Sequence, residues 1–431
     1  MKNKLALELI DFIDNSPTAF HAADSVKRIL EEVGYIELKE SEKWKVQKGG
    51  KYYINKNQSA IIAFEVGVGE LEEDGFRIIG AHTDSPGFRI KPKAEIIEVD
   101  KYIKLNTEVY GGPILNTWFD RPLSLAGRVV IKGKTLVKPK VKLINIDKPI
   151  MVIPNLAIHM NRNVNEGYQI NKQKDTLPLL GIVNDKLEKN NYLLNIVSNS
   201  IGVSKEEILD FDLFLYEYGK GCLIGMEEEL ISSSRLDDLW MVHAGIKALI
   251  DSKVNKATKV MICVDNEEVG SLTSQGADSS FVKTILERIG LALGKDKEDF
   301  YRGLSNSIMV SADLAHGVHP NYIEKHDPTN RPLLGNGPVI KMAASGSYST
   351  DAYSSGIFKG ICEEGMIPYQ TFVNRSDVKG GTTIGPILSA QLSIPVIDMG
   401  AALLGMHSIR ELASVLDNYH IANFFIGFMN S

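Results

Sequence analysis

The chain has 431 residues, 48 Lys and Arg against 54 Asp and Glu, a net charge of −6, and 44% hydrophobic residues. That length exceeds the roughly 250–300 residues that one hydrophobic core sustains, so two domains are expected. The composition excludes a disordered chain, a collagen and a disulfide scaffold, and the acidic balance argues against a nucleic-acid surface.

The basic start leads into an apolar stretch broken by Glu8, Asp11 and Asp14. This predicts a helix with Leu5, Leu9, Ile10 and Ile13 on one side, not a signal peptide. Ser16 reads as the N-cap of a second helix with Pro17 at its first position. Phe20, Ala23, Val26, Ile29, Leu30 and Val33 form its stripe, and Gly34 ends it. Apolar runs at 59–66 and 76–81 (FRIIGA) read as strands, as do 259–264 (KVMICV), 307–312 (SIMVSA) and 395–399 (PVIDM). Helical patterns lie between them at 239–250, 281–293 and 352–364, and a last one runs from Ile409 towards Phe428. Short buried strands alternating with helices indicate an α/β fold with a mainly parallel sheet flanked by helices.

Residues 94–230 differ in texture. Strands are predicted at 102–110, 125–131 and 141–146, and residues 161–175, rich in Asn and Lys, read as a long loop. This stretch is taken as an inserted, strand-rich domain, leaving 1–93 and 231–431 as the main one. Cys222, Cys263 and Cys362 lie far apart in the sequence, which predicts reduced thiols. No run approaches about 18 apolar residues, so no membrane span is expected. Together these features predict a cytoplasmic protein without membrane or nucleic-acid partners.

Metal-capable side chains recur after the apolar strands. His82 and Asp84 follow FRIIGA; Asp265, Asn266, Glu267 and Glu268 follow KVMICV; Asp313 follows SIMVSA; His407 comes after PVIDM and a glycine-rich link. Ligands bind outside the carboxyl ends of strands in open α/β sheets, so these residues can converge. Two imidazoles with several carboxylates suit zinc, or manganese or cobalt. Each residue also has a plain structural reading: Asp237 and Asp238 as helix caps, Asn266–Glu268 as a solvated helix start, His82 and His407 as hydrogen-bonded histidines. His316 and His319 stand at helix-like spacing beside Asp313 and read equally as a polar loop. Gly67 and Gly69 lack the later glycine of a dinucleotide loop, and no GxSxG marks a serine hydrolase.

Many separated strings resemble the aspartyl aminopeptidase family of zinc metallopeptidases. They include GAHTDSPGFRIKP from Gly80, YGGPILNTWFDRPLSLAGRV from Tyr110 and IPNLAIHMNR from Ile153. SSSRLDDLWMVHA from Ser232, VDNEEVGS from Val264 and SADLAHGVHPNY from Ser311 continue the series. EKHDPTNRPLLGNGPVIK from Glu324, GGTTIGPI from Gly380 and MHSIRE from Met406 complete it. The resemblance implies two zinc ions, one held by His82, Asp237 and Asp313 and the other by Asp237, Glu268 and His407. It implies Glu267 as general base for a water activated by the two metals, and Asp84 as the carboxylate that orients His82. Lys325 matches a lysine that holds an acidic side chain of the substrate's N-terminal residue, and Tyr348 a substrate-contacting tyrosine. His159 resembles a histidine near the active site, contributed by the second domain; whether it acts within one subunit or across an interface stays open. The resemblance further implies peptide substrates, a preference for N-terminal Asp or Glu, and a homo-dodecamer built from dimers through the inserted domain. Asp238 stands where eukaryotic members often have asparagine, and Gly380 where some have cysteine. The alternatives are a peptidase of the same fold with neutral or broad specificity, and a non-catalytic oligomeric scaffold.

Overall fold

The structure, a computed structural model, describes residues 2–183 and 191–431. It divides into two units: Met1–Asp84 with Gly221–Met406 and Glu411–Ser431, and Ser85–Lys220 with His407–Arg410. The boundaries expected near 94 and 230 lie at 85 and 220. Residue 94 falls inside the strand Gly87–Glu98, whose alternation is hidden by a register shift between Ile90 and Glu95.

The first unit is built on a nine-stranded, mainly parallel sheet. Its central strands, in order, are Thr258–Val264, Phe76–His82, Ile308–Ala312 and Val396–Gly400, all parallel. Every residue of Thr258–Val264 is buried. Such unbroken apolar runs are what a strand needs when helices cover both faces. One face carries Ile79, Ala81, Met261, Cys263, Val310 and Met399, packed with Trp240, Phe358, Phe424 and Phe425. The other carries Ile78, Val260, Ile262, Met309 and Val396, packed with Phe281, Ile285, Phe300 and Leu388. The alternation along each strand thus sorts neighbours into two cores, one under the helices Leu236–Asp251, Ala352–Glu364 and Val415–Asn430, the other under Phe281–Ala292, Lys297–Ser305 and Ile384–Leu392.

Two expectations change. The second helix spans Ala19–Glu32 with Thr18, not Ser16, as its N-cap; Ser16 is buried and its hydroxyl bonds Ser25 at 3.1 Å. The last helix starts at Val415, because Glu411–Ser414 is a strand pairing with Leu230–Ser233. Ser414 caps it through Leu416 N at 3.1 Å.

The second unit is a six-stranded sheet whose pairings are all antiparallel, in the order Lys138–Asn145, Leu123–Thr135, Ile208–Glu217, Gly87–Glu98, Tyr102–Tyr110, Leu179–Ile182. Phe88, Leu105, Trp118, Leu125, Val129 and Leu213 form its core. Among the described residues no helix is long and apolar enough to cross a membrane.

Candidate metal centre

The parallel central strands end on one edge of the sheet, and that edge collects the charged residues. His82 is the last residue of Phe76–His82, and Asp313 directly follows Ile308–Ala312. Glu267 and Glu268 open a single 3₁₀ turn beyond Thr258–Val264. Asp237 and Asp238 stand in the first turn of Leu236–Asp251 with non-helical backbone angles, joined by a cis peptide bond. They do not cap that helix. Asp238 Oδ2 accepts the His82 backbone N–H at 3.1 Å, and Asp237 N donates to Glu411 Oε2 at 3.0 Å.

His82, Asp237, Asp238 and Asp313 each bring one ligand atom within 4.8 Å of the others, and so do His82, Glu267 and Glu268. The imidazole Nε2 of His82 lies 3.4 Å from Asp237 Oδ1. Its Nδ1 lies 3.4 Å from Asp84 Oδ1 and 3.1 Å from the Asp84 carbonyl oxygen. Asp84 also accepts the backbone N–H of Glu267 on Oδ1 at 3.1 Å and that of Glu268 on Oδ2 at 3.2 Å. One buried carboxylate thereby fixes the histidine and the turn that presents both glutamates.

Asp313 is held from two further sides. Its N–H donates to Met399 O at 2.9 Å. A Cβ on Gly400 would stand 1.9 Å from the Asp313 carbonyl oxygen, so only glycine allows this approach. Lys341, at the end of the strand Val339–Lys341 and 1% exposed, places Nζ 3.4 Å from Asp313 Oδ2. The same ammonium donates to Leu314 O at 3.2 Å and lies 5.2 Å from the centre of the buried Tyr348 ring. Lys341 is a residue that sequence reasoning missed. Its only signal was an ammonium closing the apolar run PVIK.

The electrostatics fit a cation site. Burial alone would lower the His82 pKa, but hydrogen bonds to Asp237 and Asp84 hold it well above 6.5. Burial raises Asp238 and Asp313, with neighbouring carboxylates adding to the effect. Burial, then Asp313, Glu268 and Asp84, push Glu267 to about 8, against the opposing pull of His82. Asp238 Oδ1 is buried without a hydrogen-bond partner. Crowded carboxylates beside one imidazole fit zinc or a similar divalent cation, whose charge removes the repulsion that makes these groups keep protons.

Lys325 is exposed on a short 3₁₀ turn of the first unit. His316 sits in a two-residue strand and His319 in a loop, so their helix-like spacing is not a helix. His407 belongs to the second unit, with Nδ1 3.1 Å from Gly112 O. His159 is an exposed loop residue of that unit.

The chain is 60% identical, over the whole length of both sequences, to the Clostridium novyi protein named "Probable M18 family aminopeptidase 2". The solved complex of Ape4 and Nbr1 contains a similar chain: TM-score 0.95, 35% identity, 99% of this chain and 86% of that one covered. The S. cerevisiae mApe1 dodecamer gives TM-score 0.85 and 28% identity over 98% of this chain and 95% of that one. Residues 12–429 match the family described as aminopeptidase I zinc metalloprotease (M18), so this chain belongs to the M18 zinc metallo-aminopeptidases.

Proposed function

We propose that this aminopeptidase works with two zinc ions, uses Glu267 as general base, and prefers peptides beginning with Asp or Glu. The observation that carries the reading is Asp84 accepting both glutamate amides. It supports a reading in which the two adjacent glutamates take different jobs, Glu267 beside the cations and Glu268 on one of them.

His82, Asp237 and Asp313 hold one cation in this reading. Asp237 also serves the other, with Glu268 and His407. A His407 Nδ1–H donated to Gly112 O would leave Nε2 for coordination, the usual orientation of a ligating histidine. Bound divalent ions, zinc or in its place manganese or cobalt, supply a lowered water pKa and polarisation of the scissile carbonyl. Glu267 takes the proton from the attacking water and returns it to the leaving amine. Lys341 keeps Asp313 turned, and Tyr348 bounds the substrate near them.

The acidic preference assigns Lys325 to the side chain of the N-terminal residue. A carboxylate entering a site rich in Asp and Glu needs a positive partner. His159 is assigned to the active site from across a subunit interface. Its loop exposes Leu156, Ile158 and Met160, the last at 75%, an apolar edge that a partner copy would cover. The assembly proposed is a homo-dodecamer of dimers formed through the second unit, in the cytoplasm, as the dodecameric yeast relative supports for the assembly.

A panel of aminoacyl and C-terminally blocked peptides, assayed with added zinc, manganese or cobalt, tests the activity. Release of N-terminal Asp and Glu ahead of Leu and Ala is expected. Preference for Leu would remove the acidic assignment and keep the metallo-aminopeptidase. A stable monomer of about 48 kDa in light scattering would contradict the assembly.

A further inference from the structure

A cavity of about 320 Å³ in the first unit is lined by basic side chains, among them Lys325, Arg375, Lys379 and His319, and by no Asp or Glu. Arg375 is already engaged: Nε and Nη2 bond the Asp377 carboxylate at 2.8 and 2.7 Å, and Nη1 bonds the Glu324 carbonyl. Among the described residues, Lys325 and Lys379 have no carboxylate at ion-pair distance. Packed side chains link the cavity wall to the candidate metal centre. His316 and Phe372 line it, with ring centres 6.0 Å apart. Phe372 lies 6.4 Å from Tyr348, whose ring faces the Lys341 ammonium beside Asp313. Leu403, also in the wall, pairs with the His316 strand that leaves Asp313.

One acidic side chain uses one ammonium, and this cavity offers two. We propose that Lys379 marks a subsite for a second carboxylate of the peptide. This rests on the reading of Lys325 as partner of the N-terminal side chain. The substrate class is then peptides carrying two carboxylates within a cavity's width of each other. The second carboxylate comes from an acidic side chain at position two, or from the C-terminus of a very short peptide. Both lysines are exposed, so each pair is individually weak and sensitive to salt.

The test uses Asp-Ala-Ala-amide, Asp-Ala-Ala with a free C-terminus, and Asp-Glu-Ala-amide. Binding is measured by calorimetry on the zinc-loaded full chain carrying Glu267→Gln, which separates affinity from turnover. Either second carboxylate is expected to tighten binding by roughly 3- to 10-fold at low salt, and the gain should shrink at high salt. Which of the two peptides gains identifies the source. Adding Lys379→Met should erase that gain, whereas Lys325→Met should weaken all three Asp peptides alike. Equal affinity of the three peptides at low salt overturns the proposal, as does a gain that survives Lys379→Met. A wild type that cleaves none of them overturns the acidic preference instead, and the binding series still decides the subsite.

Discussion

Asp84 and Glu267 are joined by a backbone-to-carboxylate hydrogen bond of 3.1 Å that spans 183 positions of sequence. The same carboxylate receives Glu268 N and stands against the His82 ring. The strand end that supplies the histidine and the turn that supplies the glutamates are therefore positioned by one side chain, which need not touch a metal.

Removing it should cost metal before it costs fold. Asp84→Ala is expected to lower zinc affinity by roughly 10–100-fold, the usual effect of losing a partner that orients a ligand. Competition with a chromophoric chelator measures this. Wild-type affinity in the variant would show that His82 and the glutamate turn hold their places unaided.

Glu267→Gln should do the reverse, keeping metal and losing rate. General acid–base help is worth about 10²–10⁴-fold. Metal analysis and turnover on one preparation separate the two effects. A variant with near wild-type kcat sinks the assignment.

Lys341 makes a prediction that depends on metal. Its ammonium is a buried countercharge for Asp313. Burial works against that charge and Asp313 sustains it, holding the Lys341 pKa above its ordinary value. Lys341→Met should destabilise the zinc-free protein by on the order of 3 kcal/mol, as when one partner of a buried pair is removed. In the proposed site bound zinc would give Asp313 another countercharge, so the loss should be smaller in the loaded protein. Melting curves with and without a chelator report the difference. Equal losses in both states would mean that Lys341 acts through packing alone.

Protons and zinc should compete. At pH 7 Glu267, held at about 8, is largely protonated in the metal-free protein, and hydrogen bonds to Asp237 and Asp84 hold the buried His82 well above its ordinary 6.5. Both groups have folded pKa values above their unfolded ones. Their stabilising contribution is therefore complete below about 4.5 for Glu267 and 6.5 for His82, and fades as pH rises through the folded values. In the proposed site zinc would reverse the trend, because a ligating imidazole is neutral and a general base is ionised. Zinc binding at pH 7 is expected to release protons, and affinity to rise with pH. Calorimetry in buffers of different ionisation enthalpy counts them; no release at pH 7 would contradict these protonation states.

The α/β class was legible because strands buried on both faces must be apolar throughout, as 76–81 and 259–264 are, while the helices between them keep a helical period. The strand ends with His82, Asp313 and the Glu267–Glu268 pair were legible for the same reason: a charge that ends an apolar run is conspicuous. Tertiary structure decided what those ends meet. Asp238 on the His82 amide and Lys341 against Asp313 are pairs between segments far apart in sequence, and no local period encodes such a pair. Tertiary contacts also moved the start of the last helix, because the pairing of Glu411–Ser414 with Leu230–Ser233 claims residues whose local pattern reads as helix. The His407–Arg410 segment clusters with the second unit through bonds such as Ile409 N to Thr117 Oγ1 at 3.0 Å, a grouping that only the folded chain defines.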